Sequence, residues 1–183
     1  HTILRNWSEI VPKNNIIDEM VQTSVLWQTG GVVWNRKSIG IFPFNEDLFS
    51  SQEWTFHLSQ LIKGMKYELN AETTIFIREH EHRIGKDFSE KKCSSTFQSR
   101  VHILDKLNQA KLLTPARERA LLGYIFTSLR NSIHYKYPFT RKKIVNFLTK
   151  KVFKSYHILK ILRVLFIAYP IYSITGKGNK LFK

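Results

Sequence analysis

The sequence of 183 residues predicts an α/β body followed by a mostly α-helical, basic tail. Residues 51–63 carry apolar side chains at helical spacing, and residues 66–69 and the β-branched run 73–78 are predicted strands. From residue 89 onward the spacing is helical again. Because 43% of the residues are apolar, the chain can bury a core, which excludes general disorder.

The elements before residue 50 are short. We predict a helix over residues 15–21 and an extended run over residues 24–28, which Thr29, Gly30 and Gly31 interrupt. Gly40 and Pro43 indicate that residues 39–44 form a loop.

The helix predicted over residues 51–63 has the clearest local signals. Ser50 and Glu53 have the spacing of a capping box, with Ser50 as N-cap and Glu53 in the first turn. Gly64 follows where a helix end favours a left-handed residue. One apolar face is formed by four residues at spacings i, i+4, i+7 and i+8: Trp54, Leu58, Leu61 and Ile62.

The second half of the chain predicts successive helices. The pair Thr114-Pro115 indicates a helix start, and Tyr137-Pro138 interrupts the pattern. We expect Thr140 to cap a further helix. Its predicted inward residues are Ile144, Phe147, Leu148, Val152, Phe153 and Tyr156, and its outward residues are Lys142, Lys143, Lys150, Lys151 and Lys154. The longest apolar stretch, residues 164–174, is shorter than the about 20 residues that a membrane-spanning helix needs.

The positive charge is concentrated in the last third of the sequence. Residues 1–118 hold 15 basic and 14 acidic side chains, whereas residues 119–183 hold 14 basic and no acidic ones. This distribution excludes a uniformly basic chain and predicts a tail that meets an anionic partner, either a membrane surface or nucleic acid. Aromatic and aliphatic residues between the basic ones favour an amphipathic surface on anionic lipid. A basic helical module that binds nucleic acid is the alternative.

Cysteine usage and the first residues limit the class of protein further. The single cysteine, Cys93, excludes an intrachain disulfide and a cysteine-rich zinc site. The chain begins at His1 without a visible signal peptide, and we expect it to be a piece of a longer protein.

Three local patterns are candidates for chemistry. Glu53 could take a proton from an attacking hydroxyl, or it could only complete the capping box. His80 and His82 alternate and could share a metal ion, or they could be solvated loop residues. Gly30 and Gly31 could let a ligand approach the backbone, or they could form a plain turn.

The order of several motifs resembles the C-terminal half of a family-2 glycosyltransferase with the GT-A fold, over about residues 20–90. The residues that carry the resemblance are Trp27-Gln28-Thr29-Gly30-Gly31-Val32-Val33-Trp34-Asn35-Arg36, Ile39-Gly40-Ile41-Phe42, Asn45-Glu46-Asp47-Leu48, Gln52-Glu53-Trp54, Lys63-Gly64 and Arg78-Glu79-His80. The family has an acidic pair where this chain has Gln52-Glu53.

The resemblance implies a division of the chain. Residues 1–90 would be the C-terminal portion of the Rossmann-like GT-A catalytic domain, whose nucleotide-binding half would precede His1. Residues 91–183 would be a helical, basic tail that associates with membranes. The protein would lie at the inner, cytoplasmic face of the cell membrane and contact its anionic surface through residues 119–183.

The resemblance also implies an activity and a set of site residues. The enzyme would transfer a sugar from a nucleotide-diphosphate donor to a glycan or lipid-linked acceptor in the synthesis of cell-surface polysaccharide, and the fragment alone would be inactive. Glu53 would be the catalytic base, and His80 would be a ligand of a divalent metal, Mg or Mn, whose main ligands lie upstream. The residues implied to bind donor or acceptor are Trp27, Thr29, Gly30, Gly31, Gln52, Trp54 and Arg78.

Overall fold

The computed structural model describes residues 11–39, 44–70 and 89–182, which form helices joined by turns and irregular segments. Helices α1 to α6 span Ile16–Val21, Arg36–Ile39, Gln52–Ile62, Glu90–Gln109, Pro115–His134 and Pro138–Lys151. Helix α7, Ile158–Arg163, continues through a π-helical stretch, Val164–Ala168, into α8, Tyr169–Thr175. We call this continuous helix, Ile158–Thr175, the C-terminal helix. Turns of 3₁₀ helix occur at Thr29–Gly31, Val152–Lys154 and Asn179–Phe182.

The prediction of an α/β, GT-A-type body is wrong. In the three described ranges no segment forms a β-strand, and the predicted strand over residues 66–69 is an exposed irregular segment. The predicted strand over residues 73–78 lies outside the described residues. Helix α3 packs against α4 rather than on a sheet. A short β-rich run becomes a strand only when a neighbouring strand supplies hydrogen bonds and a packing face.

The resemblance to family-2 glycosyltransferases is contradicted together with the fold. It required a Rossmann-like domain, whereas the described residues build a helical assembly. The resemblance depended on the order of several short motifs. Each of these motifs is common, and such motifs occur on unrelated folds.

The predicted helix starts in the second half are confirmed where a side chain caps the first turn. The Ser89 hydroxyl accepts from the Lys92 amide at 3.3 Å and begins α4. The Thr114 hydroxyl accepts from the Arg117 amide, also at 3.3 Å, and Pro115 occupies the first turn of α5. These caps depend on residues within one turn, so the local sequence is enough to place them.

The capping box predicted for α3 is wrong. Helix α3 begins after Ser51, which adopts a left-handed conformation with φ of 63°. Ser50 instead bonds to α4: its amide donates to the Ser95 hydroxyl at 2.9 Å, and that hydroxyl donates to the Ser50 carbonyl at 2.8 Å. Gly64 ends the helix with φ of 85°, as predicted.

Two hydrophobic cores among the described residues hold the helices together. The first joins α1 and α3 to α4 and the start of α5, with Met20, Leu58, Leu104 and Leu121 at its centre. The second joins α5, α6, the C-terminal helix and the last 3₁₀ turn around Phe126. The long helices α4 and α5 contact each other and contribute to both cores.

The prediction for α6 is partly wrong. Ile144, Leu148 and Val152 are buried as expected, but Phe153 is 85% and Tyr156 is 63% exposed. The helix ends in the 3₁₀ turn Val152–Lys154, which changes the direction of the chain and breaks the helical spacing. Thr140 is not the cap, because the helix already begins at Pro138.

The C-terminal helix, Ile158–Thr175, extends beyond the apolar stretch at residues 164–174. It includes Pro170, which has no amide hydrogen to donate and whose ring crowds the preceding turn. The π-helical stretch Val164–Ala168 lies directly before this position and widens the turn, which lets the helix continue.

Candidate functional site

Three of the predicted site residues lie together. Glu53, Trp27 and Trp54 line one cavity of about 90 Å³. The other lining residues are Met20, Leu26 and Gln28. Glu53 is exposed in the first turn of α3, whereas Trp54 is buried. The cavity is therefore an apolar depression with one carboxylate at its rim.

The remaining predicted site residues have different positions. Thr29, Gly30 and Gly31 form a 3₁₀ turn that follows Gln28 directly, which agrees with the plain-turn interpretation. The Gln52 side chain donates to the Asn45 carbonyl at 3.4 Å and so holds the loop before α3. Arg78 and His80 lie outside the described residues.

The predicted divalent metal is not tested, because its predicted ligand His80 lies outside the described residues. Within residues 11–39, 44–70 and 89–182, no three His, Cys, Asp or Glu side chains come close enough to hold a metal ion. The sugar transfer, the nucleotide-sugar donor and the role of Glu53 as base were implied only by the contradicted resemblance. They stay untested predictions.

An aromatic cluster around His57 was missed by the sequence analysis. His57 is fully buried in α3, and the Trp34 ring stacks on it with centroids 5.3 Å apart and planes 12° apart. Trp27 approaches the imidazole edge-on at 5.9 Å. Within the described part of the chain, neither ring nitrogen of His57 has a hydrogen bond of good geometry. The local sequence contained no signal for this cluster, because the Trp34 and His57 rings come from separate segments.

This burial makes the stability of the protein depend on pH. Desolvation lowers the pKa of His57 to about 4, against a smaller opposing effect of the Trp27 backbone. In the unfolded chain histidine titrates near about 6.5, so the unfolded state binds a proton that the folded state rejects. The free energy of unfolding should therefore fall by about 3 kcal/mol as the pH drops from about 6.5 to about 4.

Chemical denaturation at several pH values measures this effect. A His57→Phe variant should lose that part of the pH dependence, because phenylalanine keeps the aromatic packing without a titrating group. The exposed His134 provides the matched control, and His134→Phe should keep the slope of the parent protein. An unchanged slope in His57→Phe would contradict the assignment to His57.

The second candidate site is the exposed side of the C-terminal helix. Ile161, Val164, Ala168 and Tyr172 recur at helical spacing and are buried against the body of the protein. The opposite side carries large apolar residues, with Leu159 78%, Phe166 75% and Ile174 85% exposed. We call this side the apolar face; its residues are Leu159, Phe166, Ile167, Ile171 and Ile174.

Basic residues lie before, within and after the C-terminal helix. Lys154 precedes the C-terminal helix, Lys160 and Arg163 lie in its first half, and Lys177 and Lys180 follow it. No acidic residue occurs anywhere in residues 119–183. The nearest preceding carboxylate in the sequence, Glu118, is buried and lies 3.4 Å from the Lys151 ammonium. The surface around the apolar face is therefore positive.

Among the described residues, one helix is long and apolar enough to cross a membrane by length and composition. It is the C-terminal helix, with 18 residues, a mean hydropathy of 1.6 and 22% of its residues buried in the protein. At about 1.5 Å per residue it reaches about 27 Å, close to the about 30 Å of a bilayer core. The prediction from the sequence concerned only the apolar stretch 164–174, which is too short to span a membrane. The helix that contains this stretch is longer.

Comparisons with known proteins add no relative. No protein-family model, no curated protein and no solved structure matches this chain.

Proposed function

We propose that this chain is a peripheral membrane-binding helical module that docks on an anionic membrane surface through the apolar face of the C-terminal helix. The observation that carries the proposal is that face: five large apolar side chains that are exposed on a helix with basic residues before, within and after it. Contiguous exposed apolar surface of this kind marks an interaction site. The complementary surface is the cytoplasmic leaflet, which anionic lipids make negative.

The arrangement of the helix supports a position in the membrane interface rather than across the bilayer. One side of the helix packs on α5 and α6 through Ile161, Val164 and Tyr172, so only the opposite side is free to enter lipid. A helix with one apolar face available lies in the interfacial plane, with basic residues at the headgroups. Inserting one large apolar side chain contributes about 1.5–3 kcal/mol, and each nearby Lys or Arg contributes about 1 kcal/mol.

Nucleic acid fits this surface less well. Phosphate backbones are bound by basic and polar side chains. Binding to nucleic acid would leave the exposed residues of the apolar face without a partner. Phe166 and Ile174 would stay in water on such a complex, whereas a bilayer buries them. Binding to duplex DNA without binding to vesicles would therefore contradict the membrane proposal.

The test measures co-sedimentation with phosphatidylcholine vesicles that contain phosphatidylglycerol. The parent protein should bind these vesicles and bind pure phosphatidylcholine weakly. The double variant Phe166→Ser/Ile174→Ser should lower the partition coefficient at least about 100-fold, because two inserted apolar side chains are lost.

Phe139 provides the matched control, since it is 76% exposed but lies at the start of α6. Phe139→Ser should leave vesicle binding unchanged. Unaltered binding of the double variant, or steeply salt-dependent binding to DNA without vesicle binding, would overturn the proposal.

A further inference from the structure

A groove of about 320 Å³ opens beside the first half of the C-terminal helix. Its walls are Leu159, Lys160, Arg163 and Leu181. Pockets that hold small molecules have volumes of about 300–1,000 Å³, so the groove is large enough for a lipid headgroup. Its lining combines two cations with two aliphatic side chains, which suits a ligand with an anionic end and an apolar end.

The last residues of the chain build the far wall of the groove. After the C-terminal helix, Gly178 takes a φ of 104°, and its carbonyl accepts from the Leu181 amide at 2.9 Å. A Cβ atom at residue 178 would lie 3.1 Å from Leu181 Cδ1, so glycine permits this close return. Phe182 is buried and its ring meets the Tyr172 ring edge-on at 5.6 Å. Leu181 is therefore held in place by a packed neighbour.

Both cations of the groove come from the first half of the C-terminal helix. Lys160 and Arg163 are three residues apart in a helix, which makes them neighbours on one face. The Lys160 ammonium lies 5.9 Å from the Phe126 ring centroid, so its stem follows the body of the protein. Within residues 11–39, 44–70 and 89–182, neither residue forms an ion pair with a carboxylate. The groove therefore has two positive charges without a counter-ion from the described chain.

We infer that the groove binds the phosphate monoester headgroup of a membrane lipid, an inference that rests on the proposed membrane function. A phosphate monoester carries a charge of about −1.5 to −2 at neutral pH, which matches two cations, whereas a phosphodiester carries one negative charge. Lys160 and Arg163 contact the phosphate oxygens through charge-assisted hydrogen bonds. Leu181 and Leu159, the latter a member of the apolar face, pack against the glycerol and the first methylene groups.

The test compares two kinds of phosphatidylcholine vesicle with equal surface charge. One contains phosphatidic acid, and the other contains more phosphatidylglycerol to reach the same zeta potential. The parent protein should bind the phosphatidic acid vesicles about tenfold more tightly, because a second charge-assisted contact forms only with the monoester. The double variant Lys160→Gln/Arg163→Gln should bind both kinds equally.

A charge-matched control separates the groove from general electrostatics. Lys154→Gln/Lys177→Gln removes the same charge outside the groove, so binding to both vesicles should weaken while the tenfold preference remains. Equal binding of the parent protein to both vesicles would overturn the groove inference and leave the membrane proposal intact. Binding to neither would overturn both. Loss of the preference in the presence of inorganic phosphate, without loss of membrane binding, supports the groove as the phosphate site.

Discussion

Replacement of Glu118 by alanine is expected to lower the free energy of unfolding by about 3–5 kcal/mol, the usual result of removing one partner of a buried ionic network. The Glu118 carboxylate is fully buried in the first turn of α5. It accepts from the Tyr156 amide at 2.8 Å and from the Ser155 hydroxyl at 3.0 Å. The Lys151 ammonium lies 3.4 Å away. The variant would leave these partly buried donors without the carboxylate that accepts from them.

The same network holds the connection between α6 and the C-terminal helix. We therefore expect the Tyr156 amide to exchange its hydrogen much faster in Glu118→Ala, while amides in the middle of α4 keep their protection until global unfolding. Chemical denaturation gives the stability, and hydrogen exchange gives the local effect.

Glu53 provides a matched control, because it is also a carboxylate in the first turn of a helix but is exposed. Glu53→Ala should leave the free energy of unfolding nearly unchanged. A loss of less than about 1 kcal/mol in Glu118→Ala would contradict the structural role given to the buried carboxylate.

Replacement of Trp54 by alanine is the second change with a large expected effect, about 3–5 kcal/mol of stability. The indole is buried in the first core, and its Nε1 donates to the Met20 carbonyl at 2.8 Å. The Arg100 guanidinium stacks on the indole at 3.7 Å from the ring. Burial lowers the pKa of Arg100 to about 10, so the side chain stays charged at neutral pH and depends on the indole for stabilisation.

A second variant distinguishes the hydrogen bond of the indole from its contact with Arg100. Trp54→Phe keeps an aromatic ring for Arg100 but loses the hydrogen bond to Met20, and should cost about 1–2 kcal/mol. Vesicle binding should be unaffected by either Trp54 variant under folding conditions, because the C-terminal helix belongs to the other core. Normal stability of Trp54→Ala would contradict the role of Trp54 in the first core.

Helix starts could be predicted where the capping partner is local. Ser89 and Thr114 each accept from an amide three residues later, and both starts are confirmed. Ser50 has the same local signal but bonds to Ser95, 45 residues away in the sequence. The start of α3 therefore depended on a contact that the surrounding sequence does not contain.

Three of the predicted site residues lie together, but the roles predicted for them stay untested. Trp27, Glu53 and Trp54 line one cavity, although the fold that suggested them is wrong. The stacking of Trp34 on His57 could not be predicted, because the two rings come from separate segments whose meeting depends on how α3 packs. A periodic pattern shows which residues share a helical face, but it does not show what covers that face.

The sequence by itself determined the local features of this protein: the long helices α4 and α5, the interruption at Pro138 and the concentration of basic residues after residue 118. Only the tertiary structure decided which apolar residues of the C-terminal region are buried. Ile161 and Val164 pack against the body, whereas Phe166 and Ile174 face solvent. The physical reason is that a hydrophobic side chain is buried only where a second surface meets it, and that surface is formed by residues distant in the sequence.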